Sequence, residues 1–275
     1  MNVQRLSSFS DGLTGGNPAG VVIADRLPPE KEMQSIAAEV GYSETAFATY
    51  NQQGWRVRYF SPESEVPFCG HATIALGAAL AKSYGPSVFP LILNETAITV
   101  EGFKNNNGYS AALQSPDTSS HFAESQEVMK ALKLFGYANS DLDNDIPPAR
   151  ANGGAEHLII GLNSRAALSA LSYDLEEGRT FMRQAGLVTI MFVYSESEQK
   201  FHSRNPFASG GVYEDPATGA ASAAFAGYLR DIKWSHFGEI DIVQGEDMGS
   251  RSLINAQFSN VQGSSIRISG MVRDI

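Results

Sequence analysis

The sequence predicts an α+β protein of two pseudo-symmetric domains, each a curled mixed sheet or barrel around one central buried helix. Three observations predict it. The order of elements in the first half of the chain returns in the second at a period of roughly 140–150 residues, which marks a duplicated domain and not a solenoid. Two stretches, His71 to Ala81 and Gly219 to Leu229, read as helices with no Asp, Glu, Lys or Arg on any face, and a helix apolar all round is enclosed by protein. The strands are numerous, short and rich in Val, Ile, Phe and Tyr.

In the first half, Gly15-Gly16-Asn17-Pro18-Ala19-Gly20 leads into a strand, Val21 to Ile23. A helix follows from Pro29 to Val40, with Glu30 and Glu32 in its first turn and Met33, Ile36, Ala37 and Val40 on one face. Gly41 is its stop. A strand over Ser43 to Tyr50 turns at Asn51 to Gly54 and returns as Trp55 to Phe60. The loop Ser61 to Cys69 opens a helix near Gly70-His71 that ends about Tyr84. The second half follows suit. Asn152-Gly153-Gly154 leads into a strand, His157 to Ile160. Two helical patterns follow, Ser164 to Leu171 and Leu175 to Ala185, with Gly186 as the stop. A strand over Leu187 to Tyr194 returns as Gln199 to Arg204. The loop Asn205 to Thr218 then opens the helix at Gly219, which ends about Asp231. Gln114 to Ser120 reads as a linker. The domains are therefore expected at 1–115 and 116–263, with the final strand, about 264–275, a candidate to pack on the first.

Composition narrows the function. Of 275 residues, 43% are hydrophobic and 18% charged, a globular balance, and the formal net charge is −10. No dense Lys/Arg run appears, which argues against nucleic acid or an anionic membrane as a partner. Cys69 is the single cysteine, so no internal disulfide and no cysteine cluster for a metal can form. Five scattered histidines without a His-x-x-x-His pairing give no metal site. Met1 to Asp11 has no apolar core of a signal peptide, and a reducing, cytoplasmic location is expected. The glycine-bearing turn at 15–20 lacks the Lys-Ser/Thr ending of a phosphate loop, and no Gly-x-Ser-x-Gly elbow occurs.

Each enclosed helix begins at a glycine-bearing turn, Cys69-Gly70-His71 and Thr218-Gly219-Ala220. A helix start carries unpaired N–H groups and the positive end of the dipole, which suits a carboxylate or phosphate. His71 and Asp215 stand at these starts. Glu44 opens the strand after the first amphipathic helix and shares a face with Ala46 and Ala48 by alternation. Counted from Gly41 and Gly186, its counterpart is Thr189. A purely structural strand residue should look alike in both copies, so this carboxylate is a candidate general acid/base. Each residue also has an ordinary reading. A Glu at a strand end is usually solvated. His71 can simply satisfy a hydrogen bond, and Asp215 before Pro216 is a common turn or cap residue. A single Cys is more often inert packing than a nucleophile.

Taken together, Gly16-Asn17-Pro18-Ala19-Gly20-Val21-Val22, Ser43-Glu44-Thr45-Ala46-Phe47, Phe60-Ser61-Pro62, Glu65-Val66-Pro67-Phe68-Cys69-Gly70-His71-Ala72-Thr73 and Glu214-Asp215-Pro216-Ala217-Thr218-Gly219 resemble the PhzF-like (phenazine biosynthesis) isomerase family. The set is in family order and spans most of the chain. The resemblance implies a diaminopimelate epimerase-like fold and proton transfer without a cofactor or metal, on a small carboxylate-bearing substrate in an interdomain cleft. It implies Glu44 as the principal acid/base, assisted by His71 and Asp215. Asn17, Ser43, Gly70, Ala72, Thr73, Thr218, Gly219 and Ala220 would hold the substrate. It also suggests a homodimer. Ala220 stands where the phenazine enzyme of the family has a hydroxyl residue, so a phenazine precursor is not the expected substrate by default. An amino-acid epimerase using Cys69 with Asp215, and a non-catalytic small-anion binder, stay open as alternatives on the same fold.

Overall fold

The computed structural model describes residues 2–275; Met1, the first residue of the start expected to lack a leader, lies outside them. The chain divides into two compact units. One runs to Gln114 and takes back Ser269–Ile275; the other is Ser115–Ile268.

The first unit contains β1 (Gln4–Ser8), β2 (Asn17–Ile23), α1 (Glu30–Val40), β3 (Thr45–Asn51), β4 (Gly54–Phe60), β5 (Glu65–Val66), α2 (Gly70–Tyr84), β6 (Ser87–Ile92), β7 (Ala97–Asn105) and β8 (Gly108–Gln114). β2 and β3 are parallel, as are β4 and β6; β1–β2, β3–β4, β4–β5, β6–β7 and β7–β8 are antiparallel. The last strand of the chain, Arg267–Asp274, pairs with both β1 and β8, so the strands curl round into a ring. The axial position belongs to α2, which touches β1, β2, β3, β6, β7 and β8. Its residues from His71 to Ala81 are all buried, as the uncharged sequence requires. Small residues allow the approach: a Cβ on Gly77 would stand 2.5 Å from Val100 Cγ2, and one on Gly102 would run into the Gly77 carbonyl. On the outer face, α1 lays Met33 and Ala37 over Val22, Phe47 and Phe60. Gly41 ends that helix at φ 72°, the left-handed cap that glycine favours.

The second unit contains β9 (Ser119–Phe122), α3 (Ser125–Phe135), β10 (Ala149–Asn152), β11 (Glu156–Gly161), α4 (Arg165–Ser169), α5 (Leu175–Ala185), β12 (Thr189–Ser197), β13 (Lys200–Phe207), β14 (Val212–Asp215), α6 (Gly219–Asp231), β15 (Glu239–Gln244) and β16 (Ser252–Gln257), and β17 is the closing strand Arg267–Asp274. The same alternation recurs: β11–β12 and β13–β15 are parallel, while β10–β11, β12–β13 and β15–β16 are antiparallel. Here α6 is the enclosed helix, buried from Ala221 to Arg230, and it touches β9, β10, β11 and β16. The outer layer is α3 and α5 over Leu158, Ile160, Ile190 and Phe192. Asp174 caps α5 by accepting from the N–H groups of Glu176 and Glu177.

Three sequence expectations are corrected by pairing. Asn17 to Gly20 are already strand, because β1 supplies their ladder partners. Ser119 and Ser120, the end of the stretch read as a linker, begin a strand, Ser119–Phe122, against β10. Within the stretch read as the loop Asn205 to Thr218, Val212–Asp215 pairs back on β13.

Candidate active site

In the first unit the site grows from the amino end of α2. β3 begins at Thr45, later than the expected Ser43, but the alternation reaches back through Glu44. Phe47 faces α1, so Ala46 and Ala48 face α2, and Glu44 lies on their side. The Glu44 carbonyl accepts from Gly20 N–H at 3.1 Å, which fixes the backbone beside β2. The carboxylate then sits with Oε2 3.4 Å from His71 Nε2; the two side chains are 21% and 9% exposed. The acid is thus neither sealed in nor loose in solvent.

His71 is held from several sides. Ser43 Oγ lies 3.3 Å from Nε2, and Cys69 Sγ lies 3.3 Å from Nδ1. The backbone is pinned by Ser8, whose hydroxyl donates to the His71 carbonyl at 2.7 Å. Thr73 turns inward: its hydroxyl donates to the Cys69 carbonyl at 2.7 Å and lies 2.7 Å from the buried Tyr59 hydroxyl. Burial, with a smaller push from the neighbouring Cys69, raises that Tyr59 phenol above its ordinary range. Ala72 is fully enclosed and Asn17 is buried at the head of β2. Beside Gly70 the space is open, since a Cβ there would meet nothing within 4 Å. The first N–H groups of α2 have no carbonyl of the same helix to bond, the feature that suits a helix start to an anion. Sequence spacing does not bring Glu44 and Cys69 together; the fold does. Glu44, Cys69 and His71 each offer one donor atom, all within 4.8 Å of one another, so this trio is also a set that could hold a metal ion.

In the second unit Asp215 ends β14, just before α6. Its Oδ2 accepts from the Thr218 hydroxyl at 2.5 Å. The sequence reading missed the residue that braces both. Gln244, fully buried at the end of β15, donates Nε2 to the Asp215 carbonyl at 2.7 Å and lies 3.0 Å from Thr218 Oγ1, while its Oε1 accepts from Thr218 N–H at 3.1 Å. One amide side chain ties together the acid and the cap of α6. Beside Asp215, Glu214 is buried in a two-point ion pair with Arg204, Nη2–Oε2 2.5 Å and Nε–Oε1 3.0 Å. Arg204 Nη1 also donates to the carbonyls of Ser169 and Leu171 at 3.1 Å. Gly219 and Ala220 form the half-exposed first turn of α6. The duplicated position of Glu44, Thr189, instead bonds to the buried His157, Oγ1 to Nδ1 at 2.8 Å.

Curled, short mixed strands around an enclosed helix, found in both units, are the diaminopimelate epimerase-like α+β fold, shared with phenazine-biosynthesis proteins and with a probable proline racemase. More narrowly, the chain belongs to the PhzC-PhzF family of phenazine biosynthesis-like proteins, whose pattern it matches over residues 6–272. It is 30% identical over 271 residues to an uncharacterized isomerase of Clostridium acetobutylicum, covering 93% of this chain and 89% of the relative. To the trans-2,3-dihydro-3-hydroxyanthranilate isomerase of Pseudomonas aeruginosa it is 30% identical over 275 residues, covering 96% and 94%. The crystal structure of a Bacillus anthracis PhzF-family phenazine biosynthesis protein superposes with a TM-score of 0.86 at 24% identity, covering 99% of this chain and 96% of that one. The chain is an enzyme of the isomerase class. No helix among the described residues is long and apolar enough to cross a membrane.

Proposed function

We propose that this isomerase moves a proton from one carbon of a small carboxylate-bearing molecule to another, using its own side chains, with Glu44 as the general acid/base. The observation that carries the reading is the Glu44 carboxylate 3.4 Å from His71 Nε2, beside the open amino end of α2. A substrate carboxylate bonded to the first N–H groups of α2 would be oriented there by the helix end. A carbon acid next to it would lie within reach of Glu44, which takes the proton and returns it. His71 would steady the ionised form of Glu44 through Nε2, and Ser43, 3.3 Å from the same nitrogen, would help to fix the ring. The proposal extends to Asp215, Thr218 and the Gly219 end of α6 as the second half of the site. That extension rests on the family likeness, as does a homodimer.

The Cys69 Sγ contact with His71 Nδ1 at 3.3 Å favours one second reading, an epimerase in which the thiol serves one face of the carbon and an acid the other. NMR in deuterated water separates the readings. Trans-2,3-dihydro-3-hydroxyanthranilate and a panel of cyclic and amino-acid carboxylates are incubated with the protein. Deuterium entering at a second carbon, with a shifted double bond, supports the isomerase. Inversion at one carbon, abolished by alkylating Cys69, supports the epimerase. Tight binding with no exchange from any carboxylate removes both and leaves a small-anion binder.

A further inference from the structure

We infer that Glu44, Cys69 and His71 form a binding site for a thiophilic divalent cation of the zinc class, and that a bound cation switches the isomerase off. The trio supplies one sulfur, one nitrogen and one oxygen donor, all within 4.8 Å. Sites with three protein ligands and a fourth, open position are a standard way to hold zinc. At metal–ligand bonds of 2.0–2.3 Å, neighbouring donors of a tetrahedral site stand about 3.3–3.7 Å apart. Nε2 of His71 lies 3.4 Å from Glu44 Oε2, while Cys69 Sγ is nearer Nδ1, at 3.3 Å, than Nε2, at 4.0 Å, so bringing all three donors onto one cation takes a turn of the imidazole.

The donor set decides which ion. A thiolate and an imidazole select zinc or cadmium, while magnesium and calcium need all-oxygen shells. The positive end of α2 opposes a cation at this place, but its partial charge of about +0.5 faces two anionic donors, the thiolate and the carboxylate. The same end favours negative charge at the cap position occupied by Cys69, and the thiolate is the ligating form.

A cation bound there takes up the lone pair that Glu44 needs to accept a proton, and the imidazole beside it. The inhibitory half of the inference rests on the acid/base reading of Glu44; the binding half does not. The test titrates Cd²⁺ into the metal-free full-length chain and follows the ultraviolet charge-transfer band of a cadmium thiolate, with Zn²⁺ as the competitor. The expected result is a saturable band at one equivalent that Zn²⁺ displaces. Affinity should fall at least tenfold in Cys69→Ser and in His71→Asn, because even outer-shell partners of a ligand are worth about 10–100-fold. Far-ultraviolet dichroism of each variant checks the fold. No band at one equivalent, or variants that bind Zn²⁺ as tightly as the wild type, overturns the site. Proton exchange by the wild type should fall in proportion to Zn²⁺ occupancy. Full exchange from the zinc-saturated protein keeps the site but overturns the switch, and with it the role of Glu44.

Discussion

Replacing Gln244 with leucine tests whether the second acid is held in place by a single buried amide. Leucine keeps most of the volume but makes none of the bonds. Three are lost: to the Asp215 carbonyl, to the Thr218 hydroxyl and from the Thr218 N–H. A net hydrogen bond contributes about 1 kcal/mol, and a buried group left unpaired costs about 1–3 kcal/mol. Asp215 and Thr218 are only partly buried, so water recovers part of the loss. The expected destabilisation is about 2–3 kcal/mol, read as a shift in the urea midpoint at unchanged slope. The acid also loses its anchor. Because misplacement by about 1 Å can cost about 100-fold, proton exchange should fall by at least tenfold where Asp215 assists. A variant within about 0.5 kcal/mol of the wild type, with exchange intact, would show that Gln244 braces nothing and that Asp215 is placed by other means.

Two further outcomes follow from buried charge. His157 is fully buried, and desolvation lowers its pKa from 6.5 to about 3. The unfolded chain therefore binds a proton near pH 6.5 that the folded chain refuses until about pH 3, so stability falls as pH falls through that window. At pH 5 the loss from this group is about 2 kcal/mol. Urea unfolding at pH 7 and pH 5 should show that component in the wild type and not in His157→Asn; equal pH dependence in both would refute it. The Arg204–Glu214 pair is buried at 8% and 3% side-chain exposure. Glu214→Leu leaves an unpaired guanidinium and should cost about 3–5 kcal/mol, while the double variant Arg204→Met/Glu214→Leu costs far less. A single variant losing under about 1 kcal/mol would mean that the pair does not hold the strand carrying Asp215.

The enclosed helices were legible in the sequence because nothing but enclosure explains two eleven-residue helical stretches without a charge. Their ends, Gly70 and Gly219, are where the structure puts them. Glu44 stood out because one copy of the duplication has a carboxylate where the other has Thr189, and the fold brings that carboxylate onto the α2 side. What stayed hidden depends on partners far along the chain. Ser119 and Ser120 carry no strand pattern and are strand only because β10 accepts them. Gln244 lies 26 residues from the Thr218 it braces, and no local spacing links them. The helix Ser125–Phe135 did leave a signal that went unused: Val128, Ala131, Leu132 and Phe135 share one face, with a left-handed Gly136 at the end. Cys69 and His71 are sequence neighbours, but only the turn into α2 aims the sulfur at the ring.

The role of Glu44 as the proton carrier is tested most directly by Glu44→Gln, which keeps the shape of the side chain and removes its basicity. With a substrate or analogue that the wild type deuterates, the variant should bind it with similar affinity while exchange slows by about 10²–10⁴-fold. Exchange at the wild-type rate from a variant that still binds would contradict the assignment and place the proton on another group.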